Sequence, residues 1–228
     1  MEQVHAGLAS NGMAWFAKEQ TAGKGQRGKT WESEPGSNIA LSLVLQPHHL
    51  NSTHQFYLSA TVALACLEFF SKYAGRETKI KWPNDLYWRD RKAGGILIEN
   101  VFTGSEWKYA VVGIGININQ TKFSPDLKNP VSLKQITGNS LDTLVLAKEL
   151  YELVMKKVAD LQPGSFENIL RSYNRHLYAA NKKVKLKKDN AVFETEVKGV
   201  NVNGQLITTD TMERQFDFGD VEWLLASG

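Results

Sequence analysis

The sequence predicts an α/β (α+β) protein in two parts, a larger sheet-and-helix unit over residues 1–180 and a small β-barrel over residues 181–228. Three observations predict it. Up to about residue 180, apolar strand patterns such as Ile39–Gln46 alternate with long amphipathic helical patterns. From Asn181 the pattern changes to short alternating segments (Val184–Leu186, Phe193–Val197, Gln205–Thr208, Val221–Leu225) broken by Asp-Asn, Asn-Gly and Phe-Gly-Asp turns. A length of 228 residues with 42% apolar content suits one sizeable core plus an appendage.

Residues 1–9 read as the tail of a helix, with Met1, Val4 and Leu8 at helical spacing before Asn11-Gly12 stops it. Ala14–Lys18 is a strand feeding a glycine-rich segment, and Ile39–Gln46 a strand covered on both faces. Residues 53–74 place Phe56, Ala60, Ala63, Leu67 and Phe70 on one helical stripe. Lys79–Trp82 is a short strand stopped by Pro83; Leu86–Trp88 and Ala93–Val101 form a hairpin turned at Arg89–Arg91. In the strand Trp107–Asn119, Ile114, Ile116 and Ile118 face a core, while Gly113, Gly115, Asn117 and Asn119 face the other way. A strand that gives up two side chains admits something close to its backbone, a packed helix or a ligand. Residues 121–139 read as loop around Pro125 and Pro130. A helix then runs from a Ser140 cap with Ala147, Leu150, Val154, Val158 and Leu161 on one stripe, Pro163-Gly164 breaks it, and Phe166–Leu177 is a further helix.

Composition excludes several classes. The longest apolar stretch, Ile39–Leu45, is too short to span a bilayer, and no basic region followed by an apolar run marks a secretory signal. One cysteine, Cys66, forms no internal disulfide, so a reducing, cytoplasmic setting is expected. The net charge of +3 demands no nucleic-acid partner, and Lys182–Lys188 reads as a half-buried strand with a solvated face. His48-His49 has no partner at metal-ligand spacing, so no protein metal site is expected.

The chemistry begins in Glu19–Trp31, where Gly23, Gly25 and Gly28 let the backbone approach a ligand with φ > 0, and Lys24, Arg27 and Lys29 alternate with them. Amide donors beside three cations suit an anion, most simply a phosphate. Gly23-x-Gly25-x-x-Gly28 matches the dinucleotide fingerprint only formally, because Pro35-Gly36 prevents the helix that must follow. It also lacks the Gly-Lys-Ser/Thr ending of a Walker loop. With three glycines and no secondary structure, the segment is expected to be mobile until a ligand orders it. A second cluster is Lys81-Trp-Pro-Asn-Asp85, where Pro83 makes Asn84 and Asp85 project from a rigid corner. Lys92 beside Gly94-Gly95 is a third.

Gln20–Trp31, Lys81–Asp85, Arg91–Leu97, Gly113–Asn117 and the closing Phe218–Trp223 together resemble the ordered motifs of biotin protein ligases of the monofunctional type, without a DNA-binding domain. The resemblance implies a mixed-sheet catalytic domain followed by an SH3-like barrel. It implies biotin and ATP as substrates with Mg2+ assisting, biotinyl-5′-AMP as intermediate, and transfer to a lysine of the biotin carboxyl carrier protein domain of acetyl-CoA carboxylase. A second copy of the chain, as a homodimer, is a further candidate partner; nucleic acid and membrane are not. Carried over motif by motif, Lys92, Asp85 and Arg27 would be catalytic. Gln20, Gly23, Lys24, Gln26, Lys92, Gly95, Leu97 and Gly113 would line biotin. Lys24, Arg27, Lys29, Trp31, Lys81, Asn84 and Asn117 would hold ATP or the adenylate.

Two departures stand out. The family commonly has arginine at the positions of Lys24 and Gln26, so a looser grip on the adenylate is expected. The family's Ser-Thr-Asn motif and first strand have no counterpart in residues 1–19, so the chain is expected to enter the pattern inside the family's first helix, with fewer hydroxyl contacts to biotin. Alternative readings are a lipoate or octanoate transferase and a catalytically impaired biotin-binding protein.

Overall fold

Short connections dictate the main sheet. A computed structural model describes residues 1–224. The elements are α1 (Glu2–His5), β1 (Ala14–Phe16), β2 (Asn38–Leu45), α2 (Gln55–Ala74), β3 (Thr78–Lys81), β4 (Asp85–Trp88), β5 (Arg91–Thr103) and β6 (Glu106–Asn117). They continue with α3 (Leu133–Thr137), α4 (Thr143–Ala159), α5 (Phe166–Arg175), β7 (Lys183–Lys188), β8 (Ala191–Val200), β9 (Leu206–Thr209), β10 (Glu213–Phe216) and β11 (Glu222–Leu224). Strands β1–β6 form one sheet in the order β1-β2-β6-β5-β4-β3. Its named strands pair antiparallel throughout, because tight turns join β3 through β6. The parallel component of the expected mixed sheet is confined to isolated bridges, Ile80–Leu177 and Lys92–Pro130.

The sheet is covered on both sides, unequally. Ile39, Leu41, Leu43 and Leu45 of β2 point into the main core with Ile114 and Ile116 of β6 and the buried stripe of α2, which includes Ala60, Ala63, Leu67 and Phe70. On the opposite face Val44 and Val111 meet Val4 and Ala9 from the first residues of the chain. The strong apolar run of β2 thus reports two coverings, as its composition requires.

The helices differ from the sequence expectation in their boundaries and number: the helix expected over residues 1–9 ends at His5, and that expected over Phe166–Leu177 ends at Arg175. The α4 cap is Asp142, whose carboxylate accepts the amides of Leu144 and Val145 at 2.9 and 3.0 Å. Ser140 cannot serve because the next residue is already pinned: the Asn119 side chain exchanges two hydrogen bonds with the Leu141 backbone. Within the stretch read as loop, α3 forms behind a Ser132/Gln135 capping box and ends at left-handed Gly138.

Strands β7–β11 form a second sheet in the order β10-β9-β8-β7-β11, with a solvated face on β7 as expected. Strand β10 was hidden in the sequence by its polar residues. The ends β10 and β11 do not pair among the described residues, so the expected barrel is an open sheet here. Leu225, expected to end the last strand, lies outside the described residues. This sheet docks on the first through side chains that complete backbone hydrogen bonds. Asn174 donates to the Val200 carbonyl at 2.9 Å and accepts its amide at 2.7 Å, and the Trp82 indole donates to the Gly204 carbonyl at 2.8 Å. Among the described residues, no helix is long and apolar enough to cross a membrane.

Asn174→Ala leaves a buried amide and carbonyl of Val200 without partners, and is expected to destabilise the protein by about 1–3 kcal/mol. Urea unfolding should show a lower midpoint; an unchanged midpoint would mean that the Asn174 bonds do not hold the second sheet.

Candidate active site

The glycine segment is a tight hairpin rather than an open loop. The Gly25 amide donates to the Lys29 carbonyl at 2.6 Å and the Trp31 amide to the Gly23 carbonyl at 2.9 Å, with Lys24 and Thr30 bridged across it. Its tip, Gln26–Gly28, is a short 3-10 turn in which Arg27 (φ 56°) and Gly28 (φ 73°) take left-handed conformations. Gly23 and Gly25 do not use positive φ, contrary to expectation. Glycine is required at 23 because a Cβ there would overlap the Trp31 carbonyl oxygen, while one at Gly25 would lie a tight 3.1 Å from that of Lys29.

The glycine face of β6 is occupied by Trp31. A Cβ at Gly115 would lie 2.5–3.0 Å from three carbons of the indole, so the close approach is made by a side chain of the same protein. The indole Nε1 is buried with no hydrogen-bond partner. At Gly113 the nearest atom to an added Cβ is the Leu97 carbonyl oxygen at 3.7 Å, ordinary contact.

Register places the charged pair. Asp85 stands opposite Gly95 across β4 and β5, and Lys92 opposite Tyr87 beyond a bulge. Lys92 Nζ reaches Asp85 Oδ1 at 2.6 Å beside Gly95, where an added Cβ would make only ordinary contact with either side chain. The Lys92 backbone is held by one segment through both its polar groups, its amide donating to the Asn129 carbonyl (2.7 Å) and its carbonyl accepting the Val131 amide (2.9 Å). Asn117 extends this hold, its Nδ2 donating to the carbonyls of Val131 at 3.1 Å and Lys92 at 3.5 Å. It is therefore a residue that positions Lys92.

Next to this pair, Asn84 and Gln26 both donate to the Ile96 carbonyl. With Ser59 and Ile98 they line a recess of about 70 Å³. Residues assigned by resemblance to different ligands thus share one hollow. The Gln20 side-chain oxygen lies 3.3 Å from where a Gly23 Cβ would stand.

Lys81 is 9% exposed, and its Nζ lies 5.3 Å from the Tyr87 ring centre and 5.0 Å from that of Trp223 in the second sheet. Burial pulls its pKa down to about 8; Asp85 opposes this, and Lys92, Lys29 and Lys128 add to it by repulsion. Burial, then the Asp85 charge, push the Tyr87 hydroxyl up. Lys24 stands exposed in the hairpin ladder, and Arg27 turns toward the second sheet, donating to the Gly219 carbonyl at 3.0 Å. Tyr87, Trp223 and Lys128 were not singled out in the sequence. Trp223 alone had a signal, the closing Phe218–Trp223 motif, which carried no role there.

The sequence profile of the biotin/lipoate A/B protein ligase family matches residues 2–117. The bifunctional ligase/repressor BirA of Bacillus subtilis is 30% identical over 203 residues, covering 87% of this chain and 62% of that protein. The biotin–[acetyl-CoA-carboxylase] ligase of Paracoccus denitrificans is 35% identical over 139 residues, covering 58% of this chain and 57% of that protein. The chain thus spans less than two thirds of the length of these relatives. Among solved structures, the biotin protein ligase from Aquifex aeolicus in complex with biotin and ATP has a TM-score of 0.80 at 23% identity, covering 95% of this chain and 90% of that one; the likeness is one of fold.

Two tests follow from this geometry. Gly115→Ala should expel the Trp31 indole and speed hydrogen exchange in residues 23–31, whereas Gly113→Ala should leave it unchanged; equal behaviour would refute the packing role. A lysine held below its unfolded pKa of about 10.4 binds its proton more weakly in the fold. Stability should therefore rise as pH climbs from about 8 to about 10, by no more than about 3 kcal/mol from this group. Lys81→Met should remove that rise and raise the melting temperature near neutral pH, measured by unfolding at both ends of the window.

Proposed function

Because the chain belongs to the biotin/lipoate A/B protein ligase family, we propose that it is a biotin–[acetyl-CoA-carboxylase] ligase. Biotin and ATP give biotinyl-5′-AMP and pyrophosphate, and the biotinyl group then passes to a lysine of a biotin carboxyl carrier protein domain. The choice of biotin over lipoate is supported by the relatives named as biotin–[acetyl-CoA-carboxylase] ligases. The observation that carries the reading is the Lys92–Asp85 pair at 2.6 Å, which joins β5 to β4 beside Lys81, a lysine that also feels the charges of Lys29 and Lys128.

In the first step a biotin carboxylate oxygen bonds to the α-phosphorus as the bond to pyrophosphate breaks. Two anions must meet, so the barrier is electrostatic. Lys92 leaves Asp85 to hold the carboxylate and the α-phosphate, while Arg27, Lys29 and Lys81 neutralise the phosphate oxygens. Gln20, Gly23, Lys24, Gln26, Gly95, Leu97 and Gly113 line the biotin, and Trp31, Asn84 and Asn117 border the nucleotide. In the second step the acceptor amine attacks the acyl carbon, AMP leaves, and Asp85, released from Lys92, accepts the proton that the amine loses.

Among the described residues, no group of three His, Cys, Asp or Glu side chains could hold a metal ion. Magnesium brought with ATP would be held by phosphate oxygens and water. Residues 1–180 form the catalytic part in this reading and residues 181–228 the SH3-like part. The free, buried Cys66 suits a cytoplasmic setting.

Asp85→Asn should form the adenylate but transfer biotin about 10²-fold more slowly or worse. Lys92→Ala should slow adenylate formation itself by about 10²–10³. Pyrophosphate release and transfer of labelled biotin to a carrier domain separate the steps; normal transfer by Asp85→Asn would remove Asp85 from the second.

A further inference from the structure

The segment of the second sheet that ends in β11 covers three cations in and around the site. The Gly219 carbonyl accepts from Arg27, Glu222 pairs with Lys128 at 3.4 Å, and the Trp223 ring lies over Lys81. Lys128 does not sit on a free loop. The next residue, Asn129, accepts the Lys92 amide, and Val131 donates to the Lys92 carbonyl, so Lys128 is tied to the backbone of the central lysine. It also lies near enough to Lys81 to repel its charge, as do Lys29 and Lys92.

The charges here do not balance. Lys92, Lys29 and Lys128 all repel the charge of Lys81, while the carboxylates paired within this group are Asp85 with Lys92 and Glu222 with Lys128. An excess of positive charge around a buried lysine favours a further anion carrying more than one charge. The Lys128–Glu222 pair is the one built to yield: its side chains are 75% and 60% exposed, so the contact is weak and either partner can exchange it without disturbing the core.

We propose that Lys128 is a further cation for the polyphosphate tail of the nucleotide, and that Glu222 of β11 is its resident counter-ion, which the tail displaces. The inference rests on the ligase reading, since it takes the polyanion to be that of a nucleoside triphosphate. It makes the second sheet a wall of the phosphate site: Glu222 opposes the tail while Gly219 and Trp223 hold the neighbouring cations in place.

The test is calorimetric titration of the full chain with ATP, AMP and inorganic pyrophosphate, at low and high salt. Both side chains are exposed, so Lys128→Ala and Glu222→Gln should fold as the parent does. Lys108→Ala makes the same charge change at the far end of β6, where Lys108 pairs with Glu106. Lys128→Ala should weaken ATP binding about two- to fivefold, and Glu222→Gln should strengthen it by a similar factor, both effects fading with salt. AMP binding should not change, and Lys108→Ala should match the parent. A parallel loss with pyrophosphate supports contact with the leaving group as well as the bound tail. The proposal is overturned if ATP affinity is unaltered in Lys128→Ala and Glu222→Gln, if AMP responds equally, or if Lys108→Ala behaves like Lys128→Ala. A parent chain that binds no ATP would instead overturn the ligase reading on which the proposal stands.

Discussion

The burial of one lysine, Lys81, in a region of excess positive charge is the constraint around which the candidate site is arranged. Lys92, Lys29 and Lys128 lie near enough to the buried Lys81 to weaken its hold on a proton, and Asp85 opposes them. Such a cluster opposes folding and favours whatever anion enters it, so the scaffold must hold it against its own field. The rest of the molecule supplies that support by backbone pairing and aromatic faces more than by counter-charges.

Lys92 shows how. Its side chain has one carboxylate partner, but its backbone is bonded on both sides to the 129–131 segment, with the Asn117 amide tying that segment to β6. Lys81 is restrained differently, sandwiched by Tyr87 and Trp223 rings where water is largely excluded. An ammonium between rings keeps a favourable quadrupole contact, but the hydration it loses outweighs that contact and lowers its proton affinity.

The hairpin 23–31 brings a second economy. Its glycines allow two strands to close so tightly that carbonyls occupy the space of absent side chains, and the same closure delivers Trp31 onto Gly115. One residue type thus serves two surfaces, the hairpin's own ladder and the strand beneath it. The unpaired indole N–H left there is a polar group without a partner, a loss that a ligand with an acceptor could make good.

What the sequence alone determined is the set of parts: the alternation in β6 that separates Ile114 and Ile116 from Gly113 and Gly115, the α2 stripe, the change of period near residue 181, and three segments joining cations to glycines. Each is a local property, written in spacing over a few residues, and so it survives without knowledge of the fold. The occupant of the Gly115 face, the Asp142 cap, the antiparallel register that sets Asp85 against Gly95, and the Trp223 ring over Lys81 were decided only in the tertiary structure. The physical reason is separation along the chain. Lys81 and Trp223 meet only because the second sheet docks through Asn174 and Trp82, and no pattern within either segment encodes a contact that depends on where the other is placed.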